Sequence, residues 1–146
     1  MIAVDTNVLI HAHREESPLH GPAVRRLESL VAELADWAIP VFCLAEFVRV
    51  VTHPRVYERP HTEKEARAAI EALLEAPNVR VLLPGDRFVS IFLDVLEEAG
   101  ARGNLVVDAQ IVAVCREAGV RRLVTEDRDF SRFREFPTER IGQAAF

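Results

Sequence analysis

Short apolar runs alternating with helical periodicities predict an α/β fold in which a parallel sheet of about five strands is covered by helices on both faces. Runs at residues 2–4, 39–41, 79–83 and 122–124 read as buried strands, and the tail near Ile141 offers a fifth. Between the first two, Val24, Leu27, Leu30, Val31 and Leu34 recur at a helical period. At 146 residues, with no internal repeat or low-complexity stretch, a single domain spanning residues 1–146 is expected.

The elements come in order along the chain. Ile2 to Val4 forms the first strand, and Asp5 and Thr6 cap a helix beginning near Asn7. Pro18 and the Gly21-Pro22 pair punctuate the stretch beyond this helix, so the second helix is expected at residues 23–36. Ile39, Pro40 and Val41 make the second strand, and a helix over residues 44–52 stops before Pro54. Thr62 with Glu65 has the pattern of a capping box and opens a helix reaching about Glu75. The third strand ends at Pro84-Gly85, helices come next at about 86–99 and 105–118, and residues 122–124 are the fourth strand.

Composition narrows the function classes. Apolar residues make up 49%, which excludes a disordered chain. The longest apolar stretch, near Trp37, is broken by Pro40 and is too short to cross a bilayer. Asp5 falls where the apolar region of a secretion signal would lie, so cytoplasmic residence is expected. Cys43 and Cys115 sit in apolar runs and read as buried free thiols, and the five histidines do not combine with them into a zinc spacing. The net charge of −5 argues against an extended basic groove, although a pocket of four or five acids would account for most of it. Lys64 is the single lysine among 18 basic residues; the rest are arginines, a skew that base composition explains as readily as phosphate binding.

Four acids stand out: Asp5, Glu46, Asp108 and Asp127. Asp5 follows the first strand and Asp127 follows the fourth after Thr125 and Glu126, so both point to the carboxyl edge of the sheet, where ligands of such folds gather. Glu46 and Asp108 lie in otherwise apolar segments, where an unpaired ionised carboxylate is costly. Each has a structural alternative: Asp5 as an N-cap, Glu46 on a solvated helix face, Asp108 beside a helix N-terminus, Asp127 as a cap for the next turn. Asp127 and Asp129, two residues apart, suit one cation, while Glu126 is expected to face away. Oxygen-only donors favour Mg²⁺ or Mn²⁺ over zinc.

In this order and at these separations the residues resemble the PIN-domain ribonucleases, and within them the VapC-type toxins of toxin–antitoxin pairs. The resemblance rests on Val4-Asp5-Thr6-Asn7-Val8-Leu9, on Leu44-Ala45-Glu46-Phe47, on Asp108 within residues 103–109, and on Thr125-Glu126-Asp127-Arg128-Asp129-Phe130. His53-Pro54-Arg55-Val56 is similar to one branch of these toxins. The resemblance implies a PIN-like three-layer sandwich and RNA cleavage dependent on Mg²⁺ or Mn²⁺. It makes Asp5, Glu46, Asp108 and Asp127 the catalytic and metal-binding quartet, with Asp5 and Asp108 as the foremost direct ligands. Thr6, Asn7 and Thr125 become supporting groups and Asp129 an accessory acid. Val107 departs from the family pattern, which often has a polar residue before the third acid.

It further implies a small cognate antitoxin, a homodimer, and a single-stranded or looped RNA substrate, with tRNA and rRNA as candidate classes. Arg49, Arg55 and Arg59, with His53, Tyr57 and His61, are the expected RNA contacts, against the alternative of solvated charges around a Pro-rich turn. Two other classes compete. One is a PIN-like adaptor without catalysis. The other is a phosphatase with a strand-end aspartate nucleophile, opposed by Asn7 at the place of its second acid and by the lack of a suitable lysine.

Overall fold

The computed structural model describes residues 1–142. Five parallel strands, β1 (Ile2–Val4), β2 (Trp37–Pro40), β3 (Val79–Leu82), β4 (Arg122–Val124) and β5 (Thr138–Glu139), lie in the order β3-β2-β1-β4-β5. Six helices flank them: α1 (Thr6–His13), α2 (His20–Ala32), α3 (Val41–Val51), α4 (Glu63–Leu74), α5 (Phe88–Ala99) and α6 (Leu105–Glu117). A 3₁₀ turn at Arg128–Arg132 comes after β4. Among the described residues no helix is long and apolar enough to cross a membrane.

The strand order sets the site. The chain moves from β1 outward to β2 and β3 and then returns to lay β4 on the other side of β1, so the order reverses between β1 and β4. Ile2, Ala3 and Val4 pair with Arg122, Leu123 and Val124. Their carboxyl ends are therefore level, which brings Asp5 beside Thr125. The β1–β4 pair is buried through Ala3, Val4, Leu123 and Val124. β5 is only two residues long, yet its Glu139 carbonyl accepts the Thr125 N–H at 2.9 Å. The Glu139 carboxylate is buried between Arg26 of α2 (2.9 Å) and Arg122 of β4 (3.1 Å), fastening this short edge strand to its neighbours.

Several boundaries differ from the expected ones for local reasons. α2 begins at His20 and takes in Gly21 and Pro22, because a proline in the first helical turn removes an N–H that has no intrahelical partner there. α2 also stops at Ala32, so Leu34, expected on its apolar face, lies beyond the helix and is fully exposed. α3 starts at Val41 with Pro40 as its N-cap, so Val41 leaves the second strand for the helix. The capping box of α4 is complete: Glu65 N–H donates to Thr62 Oγ1 at 3.1 Å and Thr62 N–H to Glu65 Oε1 at 3.2 Å. α5 closes on Gly100 in the left-handed region (φ +55°), which glycine adopts without a side-chain clash.

Asn78, just before β3, is buried and ties three segments together. Its amide nitrogen donates to the carbonyls of Leu30 (2.9 Å), Glu33 (2.9 Å) and Ala35 (3.1 Å), and its oxygen accepts from Trp37 Nε1 at 3.2 Å. These bonds satisfy the main chain where α2 turns into β2 and hold the largest core side chain in place. Asn78→Ala strands several buried polar groups and is expected to lower unfolding free energy by about 2–3 kcal/mol. Urea titration checks this; a midpoint equal to wild type would show that water replaces the side chain without loss.

Candidate active site

Asp5 ends β1 and caps α1, its Oδ1 accepting the Thr6 N–H at 2.7 Å. The same side chain faces β4. Oδ2 accepts from Thr125 Oγ1 at 2.7 Å and from Asn7 Nδ2 at 3.0 Å, and the Cys43 thiol lies 3.6 Å from Oδ1. Cap and site residue are thus one carboxylate. Burial, reinforced by the charge of Glu46, pushes its pKa up to about 6 although these donors pull the other way.

Thr125, itself buried, is the junction. Its hydroxyl donates to Asp5 and accepts from Asn7 Nδ2 at 3.1 Å and from the Asp127 N–H at 3.0 Å. Asn7 Oδ1 in turn accepts the Glu126 N–H at 3.1 Å. Thr6, Asn7 and Thr125 therefore form one polar lattice that fixes the loop after β4 against the start of α1. Glu126 turns away from it, its carboxylate accepting from Arg140 (2.9 Å) and from the Ile141 N–H (2.6 Å).

Glu46 projects from α3, with Oε2 accepting from Thr6 Oγ1 at 3.2 Å and Oε1 3.6 Å from exposed Arg49. Asp108 stands in the first turn of α6. Burial comes first in pushing its pKa up to about 7, followed by the charges of Asp127, Asp5, Asp129 and Glu46. Asp5, Glu46, Asp127 and Asp129 thus all lie within electrostatic reach of Asp108. Asp127 caps the 3₁₀ turn by accepting the Asp129 N–H at 2.8 Å.

Asp108, Asp127 and Asp129 each offer an oxygen within 4.8 Å of the other two. Oxygens held about 2.1 Å from an octahedral cation are about 3 to 4 Å apart, so these three can share one ion with small adjustments. Asp5 and Glu46 lie outside this group of three. Asp5, expected to stand with Asp108 as a direct ligand, has both oxygens engaged by donors of the chain; Asp129, expected as an accessory, stands in the group. The two-residue spacing of Asp127 and Asp129 was the sequence signal for that. Cys43 was read only as a core thiol; it is free and buried, as expected, and it also touches Asp5.

The expected RNA contacts divide. Arg55 and Arg59 are exposed in the segment between α3 and α4, while Arg49 is drawn to Glu46. Tyr57 has one ring face covered by Arg14, whose guanidinium carbon lies 3.9 Å from the ring centroid. Arg14 also donates to the Arg59 carbonyl at 3.1 Å, and the His61 N–H to the Val51 carbonyl at 2.7 Å. This segment is therefore stapled to α1 and α3. Away from the acids, a groove of about 760 Å³ opens between α1, α2 and α4, lined by Ala12, Val24, Leu27, Val31 and Leu73 among others.

Comparison with known proteins identifies the family and the fold. The family model described as PIN domain matches residues 2–135. VapC ribonuclease Mb2897 of Mycobacterium bovis is 37% identical over 134 residues, covering 92% of this chain and 90% of the relative. Ribonuclease VapC25 of Mycobacterium tuberculosis is 33% identical, covering 91% and 93%. Among solved structures, VapBC2 from Rickettsia felis bound to a promoter DNA fragment superposes with a TM-score of 0.70 at 19% identity, covering 96% of this chain and 98% of that one. Mycobacterium tuberculosis VapC20, a sarcin-ricin loop cleaving toxin, gives 0.68 at 23%, covering 92% and 98%. By the family model and by these relatives, the chain belongs to the PIN domain family, in its VapC ribonuclease branch.

Proposed function

We propose that this chain is the toxin of a toxin–antitoxin pair, an endoribonuclease that hydrolyses RNA phosphodiester bonds through Asp5, Glu46, Asp108 and Asp127 with the help of Mg²⁺ or Mn²⁺. The observation that carries the reading is the gathering of these acids, with Asp129, at the crevice between β1 and β4. The residues fit a hard divalent cation: the donors are all carboxylate oxygens, and Asp108 is hard to ionise in its present company, a penalty that a cation would relieve.

Asp108, Asp127 and Asp129 would hold the ion, with Asp5 completing the acidic wall. When bound, it supplies charge neutralisation at the scissile phosphate and makes an adjacent water more acidic. The chain's own groups do the positioning. Thr125, Asn7 and the Thr6 N–H lock Asp5, and the Thr6 hydroxyl holds one oxygen of Glu46. The other oxygen of Glu46, 3.6 Å from Arg49, would accept a proton from an attacking water. Arg49, Arg55 and Arg59 serve as contacts to the backbone of a single-stranded or looped RNA, tRNA and rRNA being the substrate classes.

The partner is a small cognate antitoxin, and the apolar groove between α1, α2 and α4 suits a segment of it. The chain pairs with a second copy through α5, where Val89 and Leu93, one turn apart, are 64% and 58% exposed.

Asp108→Asn is expected to lower RNA cleavage in Mg²⁺ or Mn²⁺ by about 100-fold or more, the scale of several kcal/mol of lost metal-derived stabilisation. Full activity in that variant would end the reading. Wild-type protein that takes up no Mn²⁺ in calorimetry would favour the non-catalytic adaptor instead.

Metal-free protein is expected to melt at a higher temperature near pH 5 than near pH 8. Asp5 and Asp108 titrate at about 6 and 7 when folded against about 4 when unfolded. Their protonated forms therefore contribute stability that is full below pH ~4 and lost as pH rises through 6 and 7. Added Mn²⁺ should narrow the gap by favouring the ionised carboxylates. A calorimetric gap that Mn²⁺ leaves untouched would count against a shared ion.

Light scattering after size exclusion should find a dimer for the wild type and a monomer for Leu93→Glu; a monomeric wild type would remove the α5 interface.

A further inference from the structure

Asp127 belongs to two neighbourhoods. Its carboxylate stands with those of Asp108 and Asp129, and the same residue walls a cleft of about 260 Å³ with Thr125, Glu126, Arg128, Ser131 and Arg140. Of the two acids in this cleft, Glu126 alone is charge-paired. Glu126 is closed off by Arg140 and the Ile141 N–H, and Asp127 accepts the Asp129 N–H. Arg128 differs: it is exposed and forms no ion pair among the described residues. Arg128 therefore offers this mouth a free guanidinium, whose planar fork matches phosphate oxygens, with the Ser131 hydroxyl on the same short turn.

We infer that this cleft is a subsite for the phosphodiester next to the one cleaved, gripped by Arg128 with help from Ser131 and Arg140. The inference rests on the ribonuclease reading and adds the path of the strand: RNA leaves the acidic group across the turn after β4. A volume of about 260 Å³ is large enough for a sugar–phosphate unit. Because Asp127 is common to both neighbourhoods, a strand seated in the cleft presents its adjoining phosphate to the carboxylates. The acidic net charge is no obstacle, since a backbone contact needs local donors and not a basic surface.

The test measures binding of fluorescein-labelled single-stranded RNA about 12 nucleotides long to the full chain by anisotropy. A NaCl series is run with Ca²⁺ in place of Mg²⁺ to hold back cleavage. Arg128→Ala is expected to weaken binding roughly three- to tenfold. It should also reduce the slope of log affinity against log salt by about 0.7, the contribution of one phosphate contact on a single strand. Arg128→Lys, which keeps the charge, should return the slope to the wild-type value. Unchanged affinity and slope in Arg128→Ala overturn the subsite and leave the ribonuclease reading standing. A wild-type chain that binds no RNA overturns both.

Discussion

One hydroxyl joins two distant stretches of this chain. Thr125 Oγ1 donates to Asp5 Oδ2 across 120 residues of sequence, at 2.7 Å. That bond is possible only because β1 and β4 are parallel neighbours in a register that ends them level. A register slip of one residue would turn every β4 side chain to the opposite face and part the two groups. The rest of the site hangs from this contact. Through the same oxygen Thr125 fixes the Asp127 N–H, and Asp127 in turn sets Asp129. The placement of Asp127 and Asp129 is thus inherited from a buried strand pair.

The electrostatics derive from that placement. Carboxylates delivered by the end of β1, by α3, by α6 and by the loop after β4 meet, and among the described residues only Arg49, at the margin, forms an ion pair with one of them. Asp5 answers with hydrogen bonds to its ionised form. Asp108 depends more on its position in the first turn of α6, where the helix dipole favours negative charge by about 0.3–1 kcal/mol. The resulting field is intense and unbalanced at one mouth. By contrast, Glu98 and Glu139 are matched by arginines, and Glu98 sits below the ordinary carboxylate range because Arg116 donates to it. Asp5, Asp108, Asp127 and Asp129 have no such arginine among the described residues.

Sequence carried the outline of this arrangement well where local chemistry decides. The strand at residues 122–124, the Thr62–Glu65 box and the stop of α5 at Gly100 have signals within a few residues. The start of α2 did not, because Gly21 and Pro22 look like a break and are tolerated in a first turn. Leu34 kept the helical period of α2 yet fell outside the helix, since spacing alone does not mark where a helix ends. Asn78 had no pattern to betray it: its partners are main-chain carbonyls and one indole, brought to it by folding. In the site, each acid was visible singly, but which of them stand closest depends on loop geometry. That is why Asp129 joins Asp108 and Asp127 while Asp5 turns to the polar lattice.

The double attachment of Asp5 has an evolutionary corollary. A descendant that had abandoned chemistry would still need this residue to begin α1 and to anchor the loop beyond β4. Its survival in such a lineage would say little about turnover. Asp108 caps nothing and receives no side-chain donor among the described residues, so its retention in such a lineage would owe nothing to either.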